Sequence, residues 1–277
     1  MSMGGAQQSR EIKLRKLIGA LHEIDSRIDD SQLQDIISSG SQAVPLLEDI
    51  LRNALEQGSL VSLKTPQRDN DWFAVIHALY LLAELRSHNS LELVLTFLAQ
   101  KQNVLDYWLH ELLDEDVWEV IFAIGHDRLD KLESFVLDQT VNNFSRLSVC
   151  TALVQIALHF PEKQSDIIKI FKKVLRLKEN DLDFTGLVVS ELLDFKQKAL
   201  IPDLSAALKK NHVWAGIISV DEVNLCYRKG RVRKLKPLNI FERYNLFRQY
   251  TNITIPSRNE LTEKTRRHIL PNVLNRF

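Results

Sequence analysis

The chain has 277 residues, 45% of them hydrophobic and 26% charged, which points to a folded, soluble protein with one large or two modest cores. Lys plus Arg equals Asp plus Glu at 36 each, so no net charge draws the whole chain to nucleic acid or to a membrane surface. Two distant cysteines, Cys150 and Cys226, supply neither a disulfide framework nor a zinc site by themselves, and no apolar run approaches the roughly 18 residues of a membrane span.

The expected setting is therefore a reducing, cytoplasmic one. The charge balance hides a split. From Lys209 to the end there are 15 Lys/Arg against 5 Asp/Glu, which leaves 21 against 31 for residues 1–208.

Residues 1–10 carry no apolar periodicity and are expected to be flexible. Ile12, Leu14, Leu17, Ile18, Leu21 and Ile24 recur at helical spacing over Glu11 to Ile24. Leu33 to Ile37 predicts a short helix ending in Ser-Ser-Gly. Pro45 then opens another, with Val44, Leu47, Ile50, Leu51 and Leu55 in register, since proline suits a first helical turn. Residues 58–70 read as a loop.

From Trp72 to Leu85 almost every residue is apolar. The exceptions, His77 and Glu84, lie two turns apart on one line, so a single narrow strip of this helix is expected to face water. After the break Arg86 to Asn89, Leu91, Val94, Leu95 and Leu98 form one stripe, and the two helices make a hairpin. Val104 to Leu113 predicts a helix. Asp116 and Glu119 have the form of a capping box for Val117 to Ile124, and Leu129 to Leu137 follows. Phe144 to Phe160 pairs with a helix opened by Pro161 and carrying Ile167, Ile168, Phe171, Val174 and Leu175. Phe184 to Phe195 pairs with Ile201 to Leu208.

The same unit recurs: an apolar helix, a short polar break, then a helix with Leu or Ile at i, i+3 and i+4. Measured at Ala78, Val120, Ala152 and Val188 the intervals are 42, 32 and 36 residues. Helix pairs at such periods cover one another in a stack, so the expected fold is an all-α solenoid (an α-α superhelix) of about five helix pairs over residues 11–210, followed by a basic, partly helical segment over 211–277. An irregular helical bundle is the alternative.

The hairpins Ala43-Val44-Pro45-Leu46-Leu47 and Leu200-Ile201-Pro202-Asp203-Leu204 resemble the HEAT-type family. More narrowly, Ala78 to Leu85, Ile124-Gly125-His126-Asp127 and Leu192-Leu193-Asp194-Phe195 resemble the bacterial domain-of-unknown-function family 1186, over about Leu33 to Val223. The resemblance implies a HEAT-like helical repeat and no assigned activity. Many members add a Cys/His metal-binding tail that this sequence lacks, so a function tied to that tail does not carry over.

Chemistry is sparse. His22-Glu23 and His110-Glu111 echo the dyads of HEAT-like di-iron hydroxylases. Such sites need several dyads, and adjacent helical residues point about 100° apart, so each pair alone chelates poorly. No phosphate loop, nucleophile elbow or metalloprotease motif is present. The expectation is a non-enzyme with no metal and no cofactor.

The feature folding explains least is the basic strip with Arg228, Lys229, Arg231, Arg233, Lys234 and Lys236, followed by Phe241, Tyr244, Phe247 and Tyr250. Such cations can neutralise phosphates while aromatics stack on bases, which makes nucleic acid or another polyanion a candidate partner. Alternatively the strip lies on its own acidic solenoid, with the aromatics forming the apolar face of a helix over 240–250. The expected function is a non-catalytic scaffold for a protein or peptide partner of basic character, with no membrane role.

Overall fold

A computed structural model describes residues 3–61, 71–109, 112–178, 182–210, 220–229 and 232–252. Among them every regular element is helical: α1 Met3–Gly19, α2 Asp30–Ser38, α3 Val44–Val61, α4 Asp71–Glu84, α5 Leu91–Leu98, α6 Gln102–Trp108, α7 Leu112–Glu115, α8 Val117–Gly125, α9 Leu129–Leu137, α10 Asn143–His159, α11 Gln164–Arg176, α12 Leu182–Phe195, α13 Ile201–Lys210, α14 Val220–Lys229 and α15 Ile240–Asn252.

Five of the helix pairs stack among the described residues: α2/α3, α4/α5, α8/α9, α10/α11 and α12/α13. The first members form an inner row in which α2 meets α4, α4 meets α8, α8 meets α10 and α10 meets α12. The second members form an outer row in which α3 packs on α5, α9 on α11 and α11 on α13. Within the row α10 lies between α8 and α12 with α9 and α11 against it, and α4 lies between α3 and α8 with α6 against it. That is why α10 is buried from Val149 to Ala157 without a break, and why α4 is buried from Ala74 to Leu82. The arrangement is all-α and solenoid-like.

The uneven repeat interval has a structural cause. Between α5 and α8 the chain inserts α6 and α7, which pack on α4 and on α10, so the unit measured from Ala78 to Val120 is lengthened by two short helices. A single helix over Val104 to Leu113 is not what forms. α6 ends at Trp108, and α7 begins at Leu112.

Most hairpins turn by the same device, a 3-10 turn leading into the outer helix at 40–42, 88–90, 161–163 and 198–200. At the end of α4, Arg86 takes a left-handed backbone (φ 52°). Its amide donates to Ala83 O at 3.0 Å and the Ser87 amide to Leu82 O at 3.0 Å, the two bonds of a Schellman closure. Lys196 closes α12 from a left-handed backbone as well (φ 54°), by one bond from its amide to Leu192 O at 3.1 Å.

Three expectations are corrected. The segment expected to be flexible is helical from Met3, with residues 7–10 exposed on α1. α3 runs through Gly58 to Val61, so residues 58–61 of the expected loop are helical, and residues 62–70 lie outside the described residues. The strip of α4 marked by His77 and Glu84 does not face water, because His77 is fully buried beneath the C-terminal segment.

Candidate functional site: the face under the C-terminal segment

Residues 232–239 have no regular structure and lead into α15. Together they form a strap that crosses the inner row from α12 back to α4. Accessibility alternates along its start: Val232, Lys234 and Lys236 are exposed, while Arg233, Leu235 and Pro237 are half-buried. An extended chain points successive side chains to opposite sides, so one set meets the protein and the other meets water.

The face receives the strap through its backbone. The Arg233 amide donates to Asp194 O at 3.1 Å. Gln155, 2% exposed on α10, donates from Nε2 to Arg233 O at 3.0 Å and accepts from the Leu235 amide at 2.8 Å. His159 Nε2 donates to Leu235 O at 2.8 Å. Glu119 accepts from the Leu238 amide at 3.0 Å, and Glu84 from the Ile240 amide at 3.1 Å. Four inner helices thus satisfy main-chain groups that would otherwise lose their water partners.

Charge follows the same line. Arg243, 6% exposed, is gripped between Asp116 and Glu119 (2.6 Å to the latter) and lies over the Tyr80 ring at 5.2 Å. Burial pulls the Arg243 pKa down, but Tyr80, Asp116 and Glu119 outweigh it, so the guanidinium stays charged. Burial raises Glu119 despite its cation. Farther along, Arg248 reaches Asp30 at 2.7 Å and Ile28 O at 3.0 Å.

The deepest contact is between Tyr244, 0% exposed, and His77. His77 Nε2 lies 2.9 Å from the Ile24 carbonyl and must donate to it, which leaves Nδ1 to accept from the Tyr244 hydroxyl. Burial lowers the His77 pKa to about 4, so the ring is neutral. A histidine on a water-facing strip would cost little to remove; His77, buried and bonded at both ring nitrogens, is not such a residue.

The expected capping box at α8 is also overturned. Asp116 occupies the N-cap position, yet its side chain makes no cap bond, and both acids turn to the strap. The signal was there in the sequence as two acids beside an apolar helix. What hid it was that their partner, Arg243, lies more than a hundred residues away.

The described cations differ in their surroundings. Arg228 is exposed near the end of α14, a helix the sequence reading did not define. Arg233 is half-buried, with Asp194 3.5 Å away, and Lys234 is exposed. Lys236 is exposed and pairs with Glu242 at 2.9 Å. Arg231 and the side chain of Lys229 lie outside what is described. Phe241 and Phe247 are half-buried against the core, and Phe247 meets Tyr80 with ring centroids 6.0 Å apart. With Tyr244 buried too, these three rings are engaged in packing rather than available to bases. The Tyr250 side chain is outside the description.

His22 is half-buried and Glu23 exposed at the end of α1, while His110 and Glu111 are outside the described residues. Among the described residues no group of three or more His, Cys, Asp or Glu could hold a metal ion, and no helix is long and apolar enough to cross a membrane.

A family model described as a protein of unknown function, DUF1186, matches residues 12–253, a span that takes in the stack and the whole strap. No curated protein and no solved structure matches the chain.

Proposed function

We propose that this chain, which belongs to the DUF1186 family, is a non-catalytic, HEAT-like α-solenoid scaffold that holds a protein or peptide partner on its inner face. The observation that carries the reading is the line of acceptors on that face: Asp194, Glu119, Asp116, Glu84 and Asp30, with Gln155 and His159 between them. Stacked helical pairs make long surfaces, and this one is acidic, which fits the excess of 31 Asp/Glu over 21 Lys/Arg in residues 1–208. A basic partner is the complement.

The test is a binding panel of basic and acidic peptides against the full chain, read by fluorescence anisotropy at physiological salt. Basic peptides are expected to bind and acidic ones not. A chain blind to every peptide would contradict the reading. Duplex DNA in the same panel tests the polyanion alternative, for which Arg228, Lys234 and Lys236 are the exposed cations of the strip among the described residues. Duplex binding lost on changing Lys234 and Lys236 to Glu would favour it.

A further inference from the structure

We infer that the face beneath residues 232–248 is a groove that reads an extended main chain, that the protein's own strap fills it in cis, and that an arginine-bearing basic segment of a partner takes the strap's place. This rests on the scaffold reading and adds to it the site and the class of ligand.

Beside the packing of Leu235 and Ile240 and the Arg233–Asp194 pair, residues 233–240 are held by a set of main-chain hydrogen bonds. Gln155 closes a two-bond ring on the backbone of residues 233 and 235, His159 takes the carbonyl of 235, and Glu119 and Glu84 take the amides of 238 and 240. None of them depends on which side chains the strap carries. Any extended segment with an amide at the positions of 235, 238 and 240 can make them, as in recognition by strand-like pairing.

Selection comes from the acids. Asp116 and Glu119 form a half-buried seat for a cation; without one, two neighbouring carboxylates face each other unpaired. Arginine suits it better than lysine, since its fork meets both acids while its plane lies over Tyr80. The strap also fits imperfectly. Between it, α4 and α8 a cavity of about 40 Å³ remains, lined by Tyr80, Glu84, Glu119, Leu238, Ile240 and Arg243. The partner segment is therefore about eight extended residues followed by a helical turn that carries the arginine.

The experiment uses a fluorescein-labelled peptide of residues 232–252 titrated into the full chain and into full-chain Arg243→Ala. Weakening the strap in cis removes a competitor, so the variant is expected to bind the peptide about tenfold or more tightly than the unaltered chain. Gln155→Ala added to that variant is expected to cancel most of the gain.

Hydrogen exchange on the unaltered chain guards against a variant that fails to fold. The amides of Leu235, Leu238 and Ile240 are expected to exchange at least about tenfold faster than those of Leu153 and Ile156 in α10. Strap amides as protected as α10, or peptide binding indifferent to Gln155→Ala, would overturn the inference. If basic peptides still bound in that case, the scaffold reading would stand without it. A chain that bound no peptide at all would remove both.

Discussion

At the level of single residues, His77 shows how a polar side chain in an apolar helix is to be weighed. It is fully buried and satisfied on both ring nitrogens. His77→Ala is expected to cost about 2–4 kcal/mol in urea unfolding, comparable with Leu82→Ala or Ile156→Ala, each expected to cost about 2–5 kcal/mol by opening a cavity in a fully buried site. A His77→Ala loss below about 1 kcal/mol would contradict the geometry. Because burial lowers the His77 pKa to about 4, the unfolded chain takes up a proton that the folded chain refuses. The stability contributed by the neutral ring is fully present above pH about 6.5 and falls away towards pH 4, by roughly 3 kcal/mol across the window. Of the charged neighbours, Asp25 opposes this shift and His22 adds to it, so the comparison that checks it is the pH slope of the native chain against His77→Gln, which is expected to lack it. The sequence exposed His77 as an exception but not its partner, because Tyr244 lies 167 residues away.

Among the elements, the helices were legible wherever periodicity was strong. α9 spans the residues that its spacing predicts, and α10, α12 and α13 depart by a few residues. What the pattern hid was tertiary. The acids Asp116 and Glu119 suit a helix start, yet they serve Arg243, and α14, whose Val220, Val223 and Tyr227 keep helical spacing, was not defined from the sequence. The buried cluster is expected to outweigh surface pairs. Arg243→Ala should cost about 3–5 kcal/mol by removing a buried cation and leaving two half-buried carboxylates unpaired, whereas Lys236→Ala, on an exposed pair, should change stability by less than about 0.5 kcal/mol in the same melts. At the hairpin corner, Arg86 holds a left-handed conformation that favours glycine. Arg86→Gly is expected to raise stability by about 0.5–1 kcal/mol, and a lower melting temperature would show that the Arg86 side chain contributes more than the backbone strain removes.

For the whole molecule, the charge split read from the sequence becomes a contact. The acidic stack and the basic end meet along one line, from Asp194 with Arg233 to Asp30 with Arg248. The stack itself followed from repetition, since apolar helices with short breaks can be covered only by one another. The direction of the last segment did not follow, because six cations look alike to a count whether they face solvent or their own chain. The central claim is that α15 seats on α4 as part of the folded unit. It is tested most directly by a double-mutant cycle of His77→Ala and Tyr244→Phe in urea unfolding. A coupling of about 1 kcal/mol or more is predicted, and additivity within about 0.5 kcal/mol would contradict the account.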